Sequence, residues 1–474
     1  MKATLVSLCQ TDAAREAGRH ALTPELLAAT GARYSRNNEG VESIVARIDP
    51  NRLDASVDSI FRMIDYGHQS IADMVPVAIF MDGVSMWLAY YVWSLVAVAG
   101  GQESSTRYIR ISPDLLLSAE ALGIPEALRD GWKADMERCF AHYGRLEKAW
   151  AALSEASPQA MRIPVALLAD QSEKAQKQIA RMRRNFAFDR ARYMLPAAVA
   201  TNVMLVMSAR AWASLCRTLC SDALPEANAL GEALRAELGL GAPRMLRHSD
   251  ASEDMRAGLA EAFAARVAEA RAGLPDALSA AATGPAADTA HLDVLPPSGI
   301  GGADLAAALA HHANRYAWQG DAVRRTAVRF AWDAVSFAEI RDLNRHRTGS
   351  KFSTLVPRGF YAAEDQLPAR GADVANALRD AVNAAAYFGR TMSRQAHRLL
   401  AEGNPAYVYW TLLGTQFDFE HVTTADKFIY EAELRTGTGS HYRYAKHLHD
   451  ALALWYAKFP ETRGRILEGE AEPE

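Results

Sequence analysis

Met74-Val75-Pro76-Val77-Ala78-Ile79-Phe80-Met81 and, in the other half of the chain, Thr326-Ala327-Val328-Arg329-Phe330-Ala331-Trp332 are the stretches on which the fold turns. Both are short, apolar and rich in β-formers, so each predicts a strand. Each is followed by an apolar stretch of helical length, Val84–Val98 and Ala334–Asn344. A polar turn then returns to strand character, at Ser105–Ile111 and at Leu355–Tyr361, and long helices follow. The order of elements repeats more clearly than the residues do. That predicts an internal duplication on the scale of a domain.

Further elements are expected around this repeat. Ala3–Cys9 reads as a strand, and Pro125–Leu153, Pro158–Asn185 and Val203–Leu219 read as helices. Leu238–Ser252 has the glycine, proline and charge shift of a linker, and Ala272–Ala290 the Ala/Gly/Pro content of a loose surface connection. The expected fold class is α+β. Two related domains, each a small mostly antiparallel sheet flanked by long helices, would pack as a pseudo-dimer. The expected limits are 1–240 for the first domain, 241–292 for a linker or insertion, and 293–474 for the second.

The chain has 474 residues, half of them hydrophobic and 23% charged, which suits a soluble globular protein with more than one core. A formal net charge of -4 argues against general affinity for nucleic acid. Cys9, Cys139, Cys216 and Cys220 are too few for a disulfide scaffold, and no secretory signal precedes them, so a reducing cytoplasm is expected. Cys216 and Cys220, one helical turn apart, are expected to pack a core. Gly83–Gly101 is uncharged and nearly long enough for a bilayer, but it lacks flanking Lys/Arg clusters and is expected to be a buried helix.

Several polar groups stand out. Glu103, Ser105 and Arg107 alternate, so an extended segment would put a carboxylate, a hydroxyl and a guanidinium on one sheet face. Arginine clamps phosphate through paired hydrogen bonds, and a carboxylate can hold a ring N–H or a ribose hydroxyl. The competing reading is an exposed strand of ordinary polarity. Arg345-His346-Arg347 closes a helix on which Arg341 stacks, and their mutual repulsion would be relieved by an anion such as a diphosphate. A solvated helix end suits the helix dipole equally well. Asp189 and Arg192 end a basic helix that Leu195-Pro196 stops. The run Arg181, Arg183, Arg184, Arg190, Arg192 with Phe186, Phe188 and Tyr193 admits an RNA-binding stripe as an alternative. Tyr66–Asp73 groups His68, Ser70 and Asp73 in a turn-to-helix stretch. His441, His447 and His449 match no usual zinc spacing, so no metal is expected.

Together these segments resemble the flavin-dependent thymidylate synthase family. Its hallmark, Arg-His-Arg followed by a spaced Ser, Asn-Glu, Ser and Arg, opens in the second half as Arg345-His346-Arg347-Thr348-Gly349-Ser350, then departs at Phe352-Ser353. The first half matches the close of the motif, Gln102-Glu103-Ser104-Ser105-Thr106-Arg107, but has Leu95-Val96-Ala97 where the triplet belongs. Asp189, Arg192, Leu195 and Pro196 are similar to the family's acidic-Arg-Leu-Pro segment. Glu433-Leu434-Arg435-Thr436 is similar to its later Leu-Arg, where the first half offers Leu219.

The resemblance implies FAD as cofactor, with NADPH and methylenetetrahydrofolate as co-substrates. It implies reductive one-carbon transfer, as methylation or hydroxymethylation, to C5 of a uracil nucleotide (dUMP or a relative). Glu103, Ser105, Arg107, Arg192 and Arg435 would meet the nucleotide, with Arg435 as the catalytic group beside the uracil ring. His68, Ser70, Asp73, Arg345, His346, Arg347 and His441 would hold the flavin, although His441 stands further from Arg435 than the family spacing. Family members are homotetramers with sites between subunits. A tandem chain would then form one composite site between its two domains and pair as a homodimer. A flavin- or nucleotide-binding relative without turnover remains the other reading.

Overall fold

The computed structural model describes residues 1–36, 40–49, 52–62, 69–107, 109–278, 285–369 and 373–471. The chain is α+β: helices surround two separate antiparallel sheets. It forms two compact units that no single cut in the sequence separates. The first comprises Met1–Ser105, Glu120–Gly123 and Val199–Phe263; the second comprises Thr106–Ala119, Ile124–Ala198 and Ala264–Glu474.

The first unit holds strands β1 (Lys2–Leu5), β2 (Pro76–Ser85), β3 (Gly100–Glu103) and β4 (Ala200–Ser208), in the order β1-β2-β4-β3. The second holds β5 (Ala290–Leu295), β6 (Ala327–Ser336), β7 (Ser350–Ser353), β8 (Gly359–Phe360) and β9 (Thr415–Thr424), in the order β5-β6-β9-β7, with β8 also on β9. The two orders are the same path. The likeness extends to irregularities. The β2/β4 register shifts between Met81 and Val84, and the β6/β9 register between Trp332 and Val335. Gly83 and Ala334 stand in these bulges with φ of 68° and 54°. Each donates its N–H to a side chain of the neighbouring strand, Gly83 to Asn202 at 2.9 Å and Ala334 to Asp418 at 3.1 Å. A bulge leaves one residue out of the ladder, and in both sheets a side-chain Oδ1 of the neighbouring strand, from Asn202 in one and Asp418 in the other, satisfies it.

Serines set the helix starts. Ser85 Oγ accepts from Leu88 N at the head of the Met86–Leu95 helix, and Ser208 Oγ accepts from Ala211 N at the head of the Ala209–Ser221 helix. In the second unit the long helices Glu126–Ala156, Glu173–Ala191 and Asp373–Ala401 pack together. Trp132 on the first of them is buried and donates to Tyr409 O at 3.0 Å. Two chain segments far apart in sequence pair there: Pro196 bridges Leu412, Leu413 N donates to Leu195 O, and Ala197 N donates to Thr411 O.

Several expectations need correction. The strand expected at Ser105–Ile111 is Gly100–Glu103; Ser104 makes the last bond to Asn202 O, and the chain then turns. Glu103, Ser105 and Arg107 therefore do not form one row on a strand. Val203–Leu219 is not one helix: it is β4 up to Ser208, where the serine cap converts strand to helix. Pro158–Asn185 is broken, because Pro158 and Pro164 start separate short turns and Ser172 caps a new helix running to Ala191. The expected linker at Leu238–Ser252 holds the end of a helix at Gly241 and a 3-10 turn, Pro243–His248. The expected loose connection begins inside a helix, Glu253–Leu278. The uncharged Gly83–Gly101 divides into a strand end, a short helix and a strand start. Among the described residues no helix is long and apolar enough to cross a membrane. Cys216 and Cys220 are buried and Cys9 is exposed.

Candidate functional site

The second unit gathers arginines from distant parts of the chain. Arg192 begins the 3-10 turn Arg192–Met194 that ends the Glu173–Ala191 helix, so its position follows from the Leu195-Pro196 stop. It is buried, donates to the Tyr444 hydroxyl at 2.8 Å, and lies 3.7 Å from Glu339. Its Nε is buried with no hydrogen-bond partner among the described residues. Arg107 grips Asp189 with two donors, Nε at 3.1 Å and Nη2 at 2.5 Å, and donates from Nη1 to Gly439 O at 2.7 Å. Asp189 is itself buried, which makes this fork a strong one.

Arg435 comes from the Ala425–Thr436 helix. Its Nε donates to His346 Nε2 at 2.9 Å and its Nη2 to Asp342 O at 3.3 Å. The guanidinium carbons of Arg192 and Arg435 lie 5.5 Å and 5.7 Å from the Tyr444 ring centroid. Asp342 ties the group together electrically. It pairs with Arg345 and helps hold both Arg107 and Arg192 in the charged form.

His346 and His441 are neutral for identifiable reasons. A guanidinium can only donate, so His346 Nε2 must accept and its proton sits on Nδ1. Burial, opposed by Glu431 and reinforced by Arg435, lowers its pKa to about 3. His441 caps the Tyr442–Lys458 helix: its Nδ1 accepts from Arg443 N, and its Nε2 meets Asp189 O at 3.2 Å, so the proton is on Nε2. Burial, then Arg192 and Arg107, hold it well below the usual histidine range.

Beneath Arg435 lies a layer that the sequence did not disclose. Glu431 stands 3.6 Å from His346 and 3.1 Å from His421, and His421 Nε2 bonds Thr348 O at 2.6 Å. His346 and His421 lower the Glu431 pKa against its burial. This layer ties the Arg-His-Arg loop to the sheet. Gly349 in that loop has φ of 69°, and a Cβ there would stand 2.1 Å from Val422 O, so only glycine fits.

Of the remaining named residues, Arg347 is exposed. Glu103 and Ser105 belong to the first unit, Glu103 buried and Ser105 half-buried. Ser70 is exposed, and Asp73 pairs with Arg210 at 2.9 Å and with Ser208 at 3.3 Å, which anchors the Ala209–Ser221 helix. His68 lies outside the described residues. The RNA-binding stripe loses its stacking platform, because Phe186, Phe188 and Tyr193 are buried. His447 is buried beside Glu339, whereas His449 meets Glu468.

In the first unit the matching element positions are apolar. Counted along the paired elements, Leu219 on Ala209–Ser221 stands where Arg435 stands on Ala425–Thr436, and Leu224 caps the Pro225–Gly241 helix as His441 caps Tyr442–Lys458. Both leucines are buried.

Residues 19–244 match the model of the family described as thymidylate synthase complementing protein. No curated protein matches the chain.

Proposed function

We propose, from the premise that the chain is a diverged member of the thymidylate synthase complementing protein family matched over residues 19–244, that it transfers a one-carbon unit to C5 of a uracil nucleotide in the arginine cluster of the second unit. One observation carries this reading. Arg107 and Arg192, from the matched segment, lie with Arg345 and Arg435 around Asp342 and Tyr444 in one compact unit.

The donor set suits a nucleotide monophosphate. Arg107 and Arg192 supply charge for the phosphate, and the unpartnered Nε of Arg192 is a buried donor that an anion would satisfy. Arg435, fixed by His346 and Asp342 O, is aligned to stabilise negative charge developing on a pyrimidine carbonyl. Tyr444 and Arg192 are buried, so the field of the Arg192 charge is weakly screened there, whereas Arg107, Arg345 and Arg435 are half-buried and open to a ligand.

Arg345, His346, Arg347 and His441 are the residues of the second unit that would hold FAD. Neutral His346 keeps its Nδ1–H to offer without adding charge, which fits an isoalloxazine ring, and Arg345 and Arg347 fit a diphosphate; both ring nitrogens of His441 are bonded within the chain, so it would act by holding Asp189 and the helix start in place. When bound, reduced flavin supplies the hydride, methylenetetrahydrofolate the carbon and NADPH the recharging electrons. The chain supplies orientation, which governs much of the rate of such transfers.

The test is tritium release from C5-labelled dUMP with methylenetetrahydrofolate and NADPH, on protein checked for a yellow chromophore. Release is expected from the wild type and is abolished by Arg107→Gln and by Arg345→Gln. Unchanged release in either variant overturns the shared site. A yellow protein that binds nucleotide without release is the non-catalytic relative.

A further inference from the structure

A line of oxygen atoms leads away from the arginine cluster within the second unit. Glu339, fully buried on the Phe337–Leu343 helix, accepts a hydrogen bond from the Tyr193 hydroxyl at 2.9 Å. Tyr193 in turn accepts from the Tyr442 hydroxyl at 3.4 Å. Tyr442 Oη lies 3.2 Å from Tyr361 Oη, and Tyr361 donates to Asp365 at 2.5 Å. The Asp365 side chain is 46% exposed. The line thus begins at a carboxylate without solvent contact and ends at one that water reaches.

Packing holds the line in place. Tyr193 and Tyr361 meet edge to face at 4.7 Å, Arg190 covers the Tyr442 ring at 4.4 Å, and Arg443 covers the Tyr361 ring at 4.0 Å. Arg443 also bonds Asp365 at 3.1 Å. The rings are fixed, but a hydroxyl hydrogen rotates without moving its ring. Buried phenols more simply find a carbonyl acceptor; these hydroxyls are joined mainly to one another and to the two carboxylates.

We propose that Asp365, Tyr361, Tyr442 and Tyr193 form a proton relay connecting Glu339 with solvent. Inward, the Asp365 carboxyl gives its proton to Tyr361, each tyrosine passes on its own, and Glu339 gains one; outward, the same bonds break and form in reverse. No phenolate need accumulate, because each hydroxyl gives and takes one proton. The groups facing Glu339 are Tyr193, Ser336, Arg192, Arg443 and His447, whose Nε2 is 4.0 Å away. Burial outweighs these partners and raises the Glu339 pKa, so this carboxylate takes up a proton more readily than an exposed one. The relay's use rests on the nucleotide reading. In a C5 substitution the C5–H bond breaks, its electron pair stays with the ring, and the proton must leave the site; the relay carries it from Glu339 to water at Asp365.

Tyr442→Phe and Tyr361→Phe each remove one hydroxyl and keep the ring, and Asp365→Asn alters only the surface end. A light-triggered pH jump, followed by time-resolved infrared at the carboxyl band that Glu339→Gln removes, reads the relay in protein without flavin or nucleotide. Protonation of Glu339 is expected to slow on the order of 10²-fold in Tyr442→Phe and Tyr361→Phe, a typical contribution of a positioned proton-transfer group. Equal rates in wild type and variants, or no Glu339 band at all, overturn the relay. In turnover, tritium release by Tyr442→Phe should fall with unchanged KM for the nucleotide and a larger solvent deuterium isotope effect. A wild type that releases no tritium sinks the nucleotide reading, while the infrared result still decides the relay.

Discussion

At the scale of single residues, His346 shows how one hydrogen bond sets a charge state. Arg435 donates into its Nε2, so the imidazole stays neutral with a pKa of about 3. The unfolded chain binds a proton there near pH 6.5, and the folded chain does not. Between these values the unfolded state holds more protons, so stability falls as pH falls, by about 1.4 kcal/mol per pH unit for this group. Glu431, whose pKa is lowered, adds loss in the same direction, but only below the ordinary carboxylate range. His346→Gln is therefore expected to have a flatter profile of melting temperature between pH 6.5 and 4.5 than the wild type; parallel profiles would show that His346 is not held neutral. Arg435→Lys keeps the charge but loses the fork that meets His346 and Asp342 O together. Turnover in the tritium assay should fall on the order of 10²-fold, more in kcat than in KM.

At the scale of elements, the two bulges offer a reciprocal experiment. Gly83 takes its left-handed conformation without steric cost, whereas Ala334 adopts the same conformation with a Cβ. A Cβ on Gly83 would meet Met1 only at 3.5 Å, so space is not the obstacle and the cost is conformational. Gly83→Ala is expected to destabilise by about 1 kcal/mol, and Ala334→Gly to be neutral or stabilising by up to about 1 kcal/mol, in urea unfolding. The reverse result, with Gly83→Ala neutral and Ala334→Gly destabilising, would mean that the bulges are not equivalent. Gly349→Ala should be worse than either, since its Cβ collides with the Val422 carbonyl and must displace the loop bearing Arg347.

At the scale of the molecule, two sheets share a strand order and a bulge, yet the matching positions differ in chemistry. Arg435 and His441 in the second copy correspond to buried Leu219 and Leu224 in the first. Arg192 corresponds to Val408: Leu195 N donates to Arg192 O just as Thr411 N donates to Val408 O. Buried leucine and valine cannot bind a phosphate or a carbonyl. Calorimetric titration with a uracil nucleotide is therefore expected to saturate at one nucleotide per chain, and saturation at two would defeat the reading of a single site.

Much of this organisation is local and was open to sequence reading. Strands β2 and β6 announce themselves by composition, the Glu126–Ala156 helix by its length, and the duplication by the order of elements. The end of the Glu173–Ala191 helix follows from Leu195-Pro196. Val203–Leu219 misleads because its apolar start, Val203–Met207, suits a strand or a helix, and only pairing with β2 and the Ser208 cap decide between them. Guanidinium groups were legible as residue types; their counter-charges were not. That Asp189 holds Arg107, that Glu431 and His421 lie beneath His346, and that Tyr193, Tyr361 and Tyr442 line up between two carboxylates all depend on contacts between segments far apart in the chain. The sequence by itself determined the elements and the kinds of charge they carry, because periodicity, caps and proline act over a few residues. The tertiary structure alone decided which charges meet, because burial brings distant groups within hydrogen-bonding distance and only there fixes their protonation.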